Sequence, residues 1–113
     1  MENCLFCKII KGEIPSQKVF ENDYVYAFRD INPQAPVHIL VVPKKHFSSL
    51  DDTDRAEDRD LAECLRAVHS IAAQENLTNG YRVVSNCGSD ACQSVQHLHF
   101  HILGGVKMAE RMS

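Results

Sequence analysis

The chain has 113 residues, 44% of them hydrophobic and 24% charged, with a formal net charge of −3. That length suits one domain spanning residues 1–113, and the acidic balance excludes a large nucleic-acid footprint, which needs a basic excess. The longest apolar runs, such as Ile39 to Val42, fall far short of a membrane span. Met1 to Cys4 lack the basic-then-apolar pattern of an export signal.

Cys4 to Lys11 reads as a short helix stopped by Gly12, since glycine tolerates the left-handed conformation that follows a helix end. Val19-Phe20 and Tyr24 to Phe28 read as strands joined through the turn residues Glu21-Asn22-Asp23. Pro33 and Pro36 force a loop. Val37 to Val42 then reads as a strand, with Val37, Ile39 and Val41 on one face and His38, Leu40 and Val42 on the other. The acidic stretch Asp51 to Asp54 suits a helix start. Leu61, Cys64, Leu65, Val68 and Ala72 recur at helical spacing, predicting an amphipathic helix to about Glu75. Tyr81 to Asn86 reads as a strand, Cys87 to Ser94 as a polar loop, and Val95 to Leu103 as a last strand before Gly104-Gly105. Most strand connections are too short for parallel crossovers. The expected fold is α+β: a five-stranded antiparallel sheet with one long and one short helix.

Half of the six histidines lie within His97-Leu98-His99-Phe100-His101. On a strand, alternate side chains share a face, so all three imidazoles point one way and Leu98, Phe100 and Ile102 point toward the core. Such a face can bind a metal or do phosphorus chemistry. The preceding loop, Ser89-Asp90-Ala91-Cys92-Gln93-Ser94, favours the second. It offers backbone N–H groups and hydroxyls to an oxyanion, and a neutral imidazole beside it is a competent nucleophile.

The pattern Gln93-Ser94-Val95-x-His97-x-His99-x-His101-x-x-Gly104-Gly105 resembles the signature of the histidine-triad (HIT) superfamily. It is most similar to the nucleotide-binding, purine nucleoside phosphoramidase branch. Phe28 to His38, Pro43 to His46 and Cys4 to Ile10 resemble that branch too. The resemblance implies a HIT-like fold, a homodimer and a hydrolase of purine nucleoside 5′-phosphoramidates. It implies a dinucleoside polyphosphate hydrolase, a nucleotidyl transferase or a zinc-stabilised regulatory nucleotide binder as alternatives. By position, His99 would be the nucleophile. His101 and Ser94 would contact the phosphate and leaving group, and His38 would hold the triad network. Asp30 would bind the ribose, Asn86 would sit near ribose and phosphate, and Cys92 and Gln93 would belong to the phosphate loop. Leu5, Phe6, Phe28 and Ile31 would wall the base pocket. Relatives often carry glycine where this chain has Ala91-Cys92.

Cys4-x-x-Cys7 is a weak motif alone, open to a reading as two unrelated buried thiols. Some bacterial-type histidine-triad proteins pair such cysteines with histidines at the positions of His46 and His97. The resemblance thus implies a structural zinc on Cys4, Cys7, His46 and His97, since four protein ligands leave no open position. The expected partners are a purine nucleotide and a second copy of the chain, with no nucleic-acid polymer and no membrane, in the cytoplasm.

Overall fold

Alternation of apolar residues along the strands gives the sheet two buried faces, and each recruits a different helix. A computed structural model describes residues 3–112. The reading of the extreme N-terminus as free of an export signal involves Met1 and Glu2, which lie outside the described residues. The elements in chain order are α1 (Leu5–Ile10), β1 (Lys18–Glu21), β2 (Val25–Arg29), β3 (Val37–Pro43), α2 (Asp58–Gln74), β4 (Tyr81–Val84) and β5 (Phe100–Gly104), with short 3-10 helices at Leu50–Arg55 and Ser89–Ala91. The five strands form one antiparallel sheet in the order β1-β2-β3-β5-β4, as the short connections require. Among the described residues no helix is long and apolar enough to cross a membrane.

One face carries Val25, Ala27, Ile39, Val41 and Ile102, and α2 covers it with Cys64, Ala67, Val68 and Ile71. The other carries Tyr26, Phe28, Leu40 and Val42, covered by Phe6 and Ile9 of α1. β3 lies at the centre and is buried on both sides. Leu40 pairs with His101 and His38 with Leu103, so the histidines of β3 and β5 share the α1 face. The large helix backs the sheet, and the small one roofs the site.

Three expectations need correction. The acidic stretch does not start α2. It forms its own 3-10 helix, with Ser49 as N-cap, and Asp52 there accepts from the Ser48 amide and pairs with Arg55. Extended backbone at Ala56 separates the two, and α2 starts from a Glu57–Asp60 capping box. Leu65 is exposed, while Ala67 and Ile71 face the sheet. The last strand begins at Phe100, not Val95. Its ladder ends with the Val41–Phe100 pair. Toward Pro43, which lacks an N–H, the backbone takes other partners: Leu98 N–H donates to Phe47 O at 2.6 Å and the Ser85 hydroxyl donates to His99 O at 2.8 Å.

Candidate active site

His97 and His99 precede the strand, where the chain bends over residues 95–97, and Phe6 bridges their two rings. The His99 and His101 centroids are 5.1 Å apart, and Phe6 meets His97 and His99 edge-on at 5.9 and 5.1 Å. Leu98 and Ile102 are buried among core side chains, as the alternation predicts.

The ring protons follow from what each nitrogen faces. A carbonyl oxygen only accepts, so His99 donates Nδ1–H to His97 O at 2.6 Å. Its Nε2 is left with a lone pair. The Gln34 backbone N–H donates to His38 Nδ1 at 3.0 Å, so His38 carries its proton on Nε2. That proton goes to His101 Nδ1 at 2.8 Å. His101 must then hold a proton on Nε2, and this buried atom has no partner among the described residues. The site thus presents one imidazole lone pair and one imidazole N–H, both unspent.

Burial pushes His99 below its ordinary 6.5, and the nearby Asp30 only partly opposes this. His101 falls to about 4, through burial first and then its neighbours His99 and His38. His38 is lowered by burial, against the pull of Asp30. All three are therefore neutral at neutral pH, as the proton chain demands.

These groups open on a cavity of about 260 Å³ lined by Leu5, Phe6, Ile9, Phe28, Asp30, Ile31, Leu40, Ser94, Val95, His99 and His101, among others. The cavity thus gathers most of the residues singled out for catalysis and nucleotide binding, but not His38, Asn86, Cys92 or Gln93. Asp30 stands at its wall, with Oδ1 accepting the Asn32 amide and Oδ2 3.5 Å from His38 Nε2. Ile31 is almost fully exposed, and Leu5 is exposed on one side. Asn86 is half-buried in the coil after β4 and does not line the cavity.

Gln93 has a different task from ligand contact through its side chain. Its Oε1 accepts the Gly88 amide, and its Nε2 donates to Ser48 O and Val95 O. The amide closes the polar loop on itself and ties it to the segment after β3. Cys92 sits in that loop with φ 58° and ψ 41°, the left-handed region. The geometry explains why glycine suits this position.

Sequence reasoning missed Ser85 and Gln34. Ser85 pins the His99 carbonyl, and Gln34 sets the His38 tautomer through its backbone. Neither signals its role by residue type, because one acts on a main-chain oxygen and the other through a main-chain amide.

A second cluster adjoins the first. Cys4, Cys7, His46 and His97 bring one ligand atom each to within 4.8 Å of one another. Cys4 Sγ is 3.3 Å and Cys7 Sγ 3.6 Å from His97 Nδ1. Cys7 Sγ is 3.4 Å from His46 Nδ1, and the two Nδ1 atoms are 3.2 Å apart. Tetrahedral bonds of about 2.0–2.1 Å to nitrogen and about 2.3 Å to sulfur give ligand spacings of roughly 3.3–3.8 Å, so the donor set fits such an ion. His97 donates Nε2–H to Pro43 O at 2.9 Å, which aims the bare Nδ1 at the cluster.

A model of the HIT domain family matches residues 11–108. The chain is 51% identical over 107 residues to the 14 kDa zinc-binding protein of Zea mays, covering 92% of this chain and 83% of that protein. It is 49% identical over 107 residues to the adenylylsulfatase HINT1 of Arabidopsis thaliana, covering 92% and 72%. Among solved structures, the HIT family hydrolase from Clostridium thermocellum superposes with a TM-score of 0.96 at 42% identity, covering 100% of this chain and 99% of that one.

Proposed function

The chain belongs to the HIT family, and from that premise we propose that it hydrolyses the P–N bond of purine nucleoside 5′-phosphoramidates through a nucleotidyl-His99 intermediate. The single observation that carries this reading is the pairing of a bare His99 Nε2 with a protonated His101 Nε2 in one cavity.

His99 Nε2 attacks the α-phosphorus, and the P–N bond to the leaving amine breaks. His101 Nε2–H hydrogen-bonds that nitrogen and relays to it a proton that solvent replaces, so the amine departs neutral and His101 stays an imidazole. At the cavity wall the Ser94 backbone N–H serves the phosphoryl oxygens, and the Ser94 hydroxyl contacts the departing group. Water then attacks phosphorus, its proton leaves to solvent, and the bond to His99 breaks. The products are the amine and a nucleoside monophosphate. His38 returns no proton of its own; it holds His101 in the tautomer that the first step needs. The apolar wall of Phe6, Phe28 and Leu40 takes the base, and Asp30 accepts from the ribose hydroxyls at the cavity wall.

Cys4, Cys7, His46 and His97 would hold zinc, which would supply a structural cross-link between α1 and the catalytic segment. The name of the maize relative supports that identity. The chain works as one domain in the cytoplasm, as a homodimer. Tyr81, Val83 and Val106 are exposed apolar residues on and beside edge strand β4, where a second copy would cover an open edge.

A dinucleoside polyphosphate hydrolase or nucleotidyl transferase would share the covalent intermediate. The Arabidopsis relative is named an adenylylsulfatase, which favours a small leaving group over a second nucleotide. Hydrolysis rates for an adenosine phosphoramidate and for a dinucleoside polyphosphate decide between them. The phosphoramidate should be cleaved far faster, and the opposite order would replace this reading with the second.

A further inference from the structure

We propose that Cys4 and Cys7 form an oxidisable dithiol whose closure to a disulfide by hydrogen peroxide releases the metal ion and loosens the nucleotide cavity. The inference rests on the zinc reading above and goes beyond it.

Access comes first. Cys4 is half-buried and opens on a cleft of about 600 Å³ that it shares with His46, Ser94 and Gln96. That cleft brings a small oxidant to the edge of the cluster, where the Cys4 sulfur lies just beneath the surface. Closure comes next. Cys4 is the N-cap of α1, and its Sγ accepts the Cys7 amide at 3.3 Å. Both sulfurs sit on one turn, within 4.8 Å of each other, and residues three apart on a helical turn have the backbone separation a disulfide needs.

The step balances. The two thiolates give up two electrons and join as one S–S bond. Hydrogen peroxide takes those electrons with two protons and leaves as two waters. The ion keeps only His46 and His97, which is too few for a closed tetrahedral site.

The consequence reaches the catalytic cavity along two short paths. His97 has one ring nitrogen in the cluster, and its carbonyl holds the nucleophile through His99 Nδ1–H. Phe6, between the two cysteines, packs edge-on against both His97 and His99 and lines the cavity. Losing the ion frees His97 and α1 together.

The test treats purified zinc-loaded protein with hydrogen peroxide and follows three readouts. These are zinc release by a metallochromic dye, a Cys4–Cys7 disulfide peptide by mass spectrometry, and affinity for adenosine 5′-monophosphate by calorimetry. One zinc should leave per disulfide formed, and affinity should fall about tenfold, a usual size for coupling between sites. Dithiothreitol with added zinc should restore both. A Cys87→Ser protein, which keeps both ligand cysteines, should respond in the same way. Zinc retained through the treatment overturns the inference and leaves the zinc reading standing. Zinc released with unchanged affinity, or a response lost in Cys87→Ser, also overturns it. Protein that carries no zinc before treatment overturns the zinc reading and this inference with it.

Discussion

His38 Nε2 lies 2.8 Å from His101 Nδ1, and the proton between them belongs to His38. The Gln34 amide fixes that assignment by occupying the opposite nitrogen of His38. The donor facing the cavity is therefore set two residues away, by a backbone group in the loop before β3.

That chain makes the acid side of the pH profile informative. In the proposed mechanism His99 must be neutral to attack, and burial holds it below 6.5. The value of kcat/KM should therefore stay flat at neutral pH and fall only below 6.5. His101 faces His38, His99 and Asp30, and is lowered to about 4. A histidine whose folded pKa is depressed binds its proton more readily when unfolded, so folding stability is full above 6.5 and lost as pH falls toward 4. Activity should decline on the acid side before global unfolding sets in. A steady-state profile run beside a circular-dichroism titration checks the order, and an acid limb centred above 6.5 would contradict it.

Ser85→Ala removes the hydroxyl that holds the His99 carbonyl at 2.8 Å. The stability cost should be about 1 kcal/mol, the usual worth of one such bond. The effect on kcat should be larger in proportion, between about tenfold and a hundredfold, because the nucleophile loses its anchor outside the ladder. Ser85→Thr, which keeps the hydroxyl, should recover most of it. Denaturant melts and kinetics on the same samples separate the two effects.

Cys92→Gly relieves a left-handed non-glycine residue. That conformation costs roughly 1–2 kcal/mol, offset by roughly 0.5–1 kcal/mol for the added freedom of glycine when unfolded. A net gain of about 0.5–1 kcal/mol in chemical denaturation is expected. A loss would mean that the Cys92 side chain has a role of its own.

Much of this site is legible in the sequence because short-range periodicity carries it. Residues alternate along β3, and His99 and His101 reach one cavity, while His97 turns its ring to the cysteine cluster. The two-face pattern of Val37 to Val42 appears unchanged in the structure. What escapes sequence reading is where hydrogen bonds leave the regular pattern. Pro43 ends the ladder five residues earlier than the apolar run suggests, and Phe47, Ser48 and Ser85 take over as partners. Gln93 looks like a ligand residue by its motif, yet its amide is consumed in closing the loop. Leu65 fits the helical period but falls at its margin, so Ala67 and Ile71 take the buried stripe.

The most direct test is a rapid quench of the protein with an adenosine 5′-phosphoramidate, followed by peptide mass spectrometry. One nucleotidyl group should appear on the peptide holding His99, and His99→Ala should carry none while keeping its fold. Turnover in that variant should fall by several orders of magnitude, since among the described residues no other bare imidazole faces the cavity. Near-normal hydrolysis by His99→Ala, or an adduct on another residue, would contradict the account.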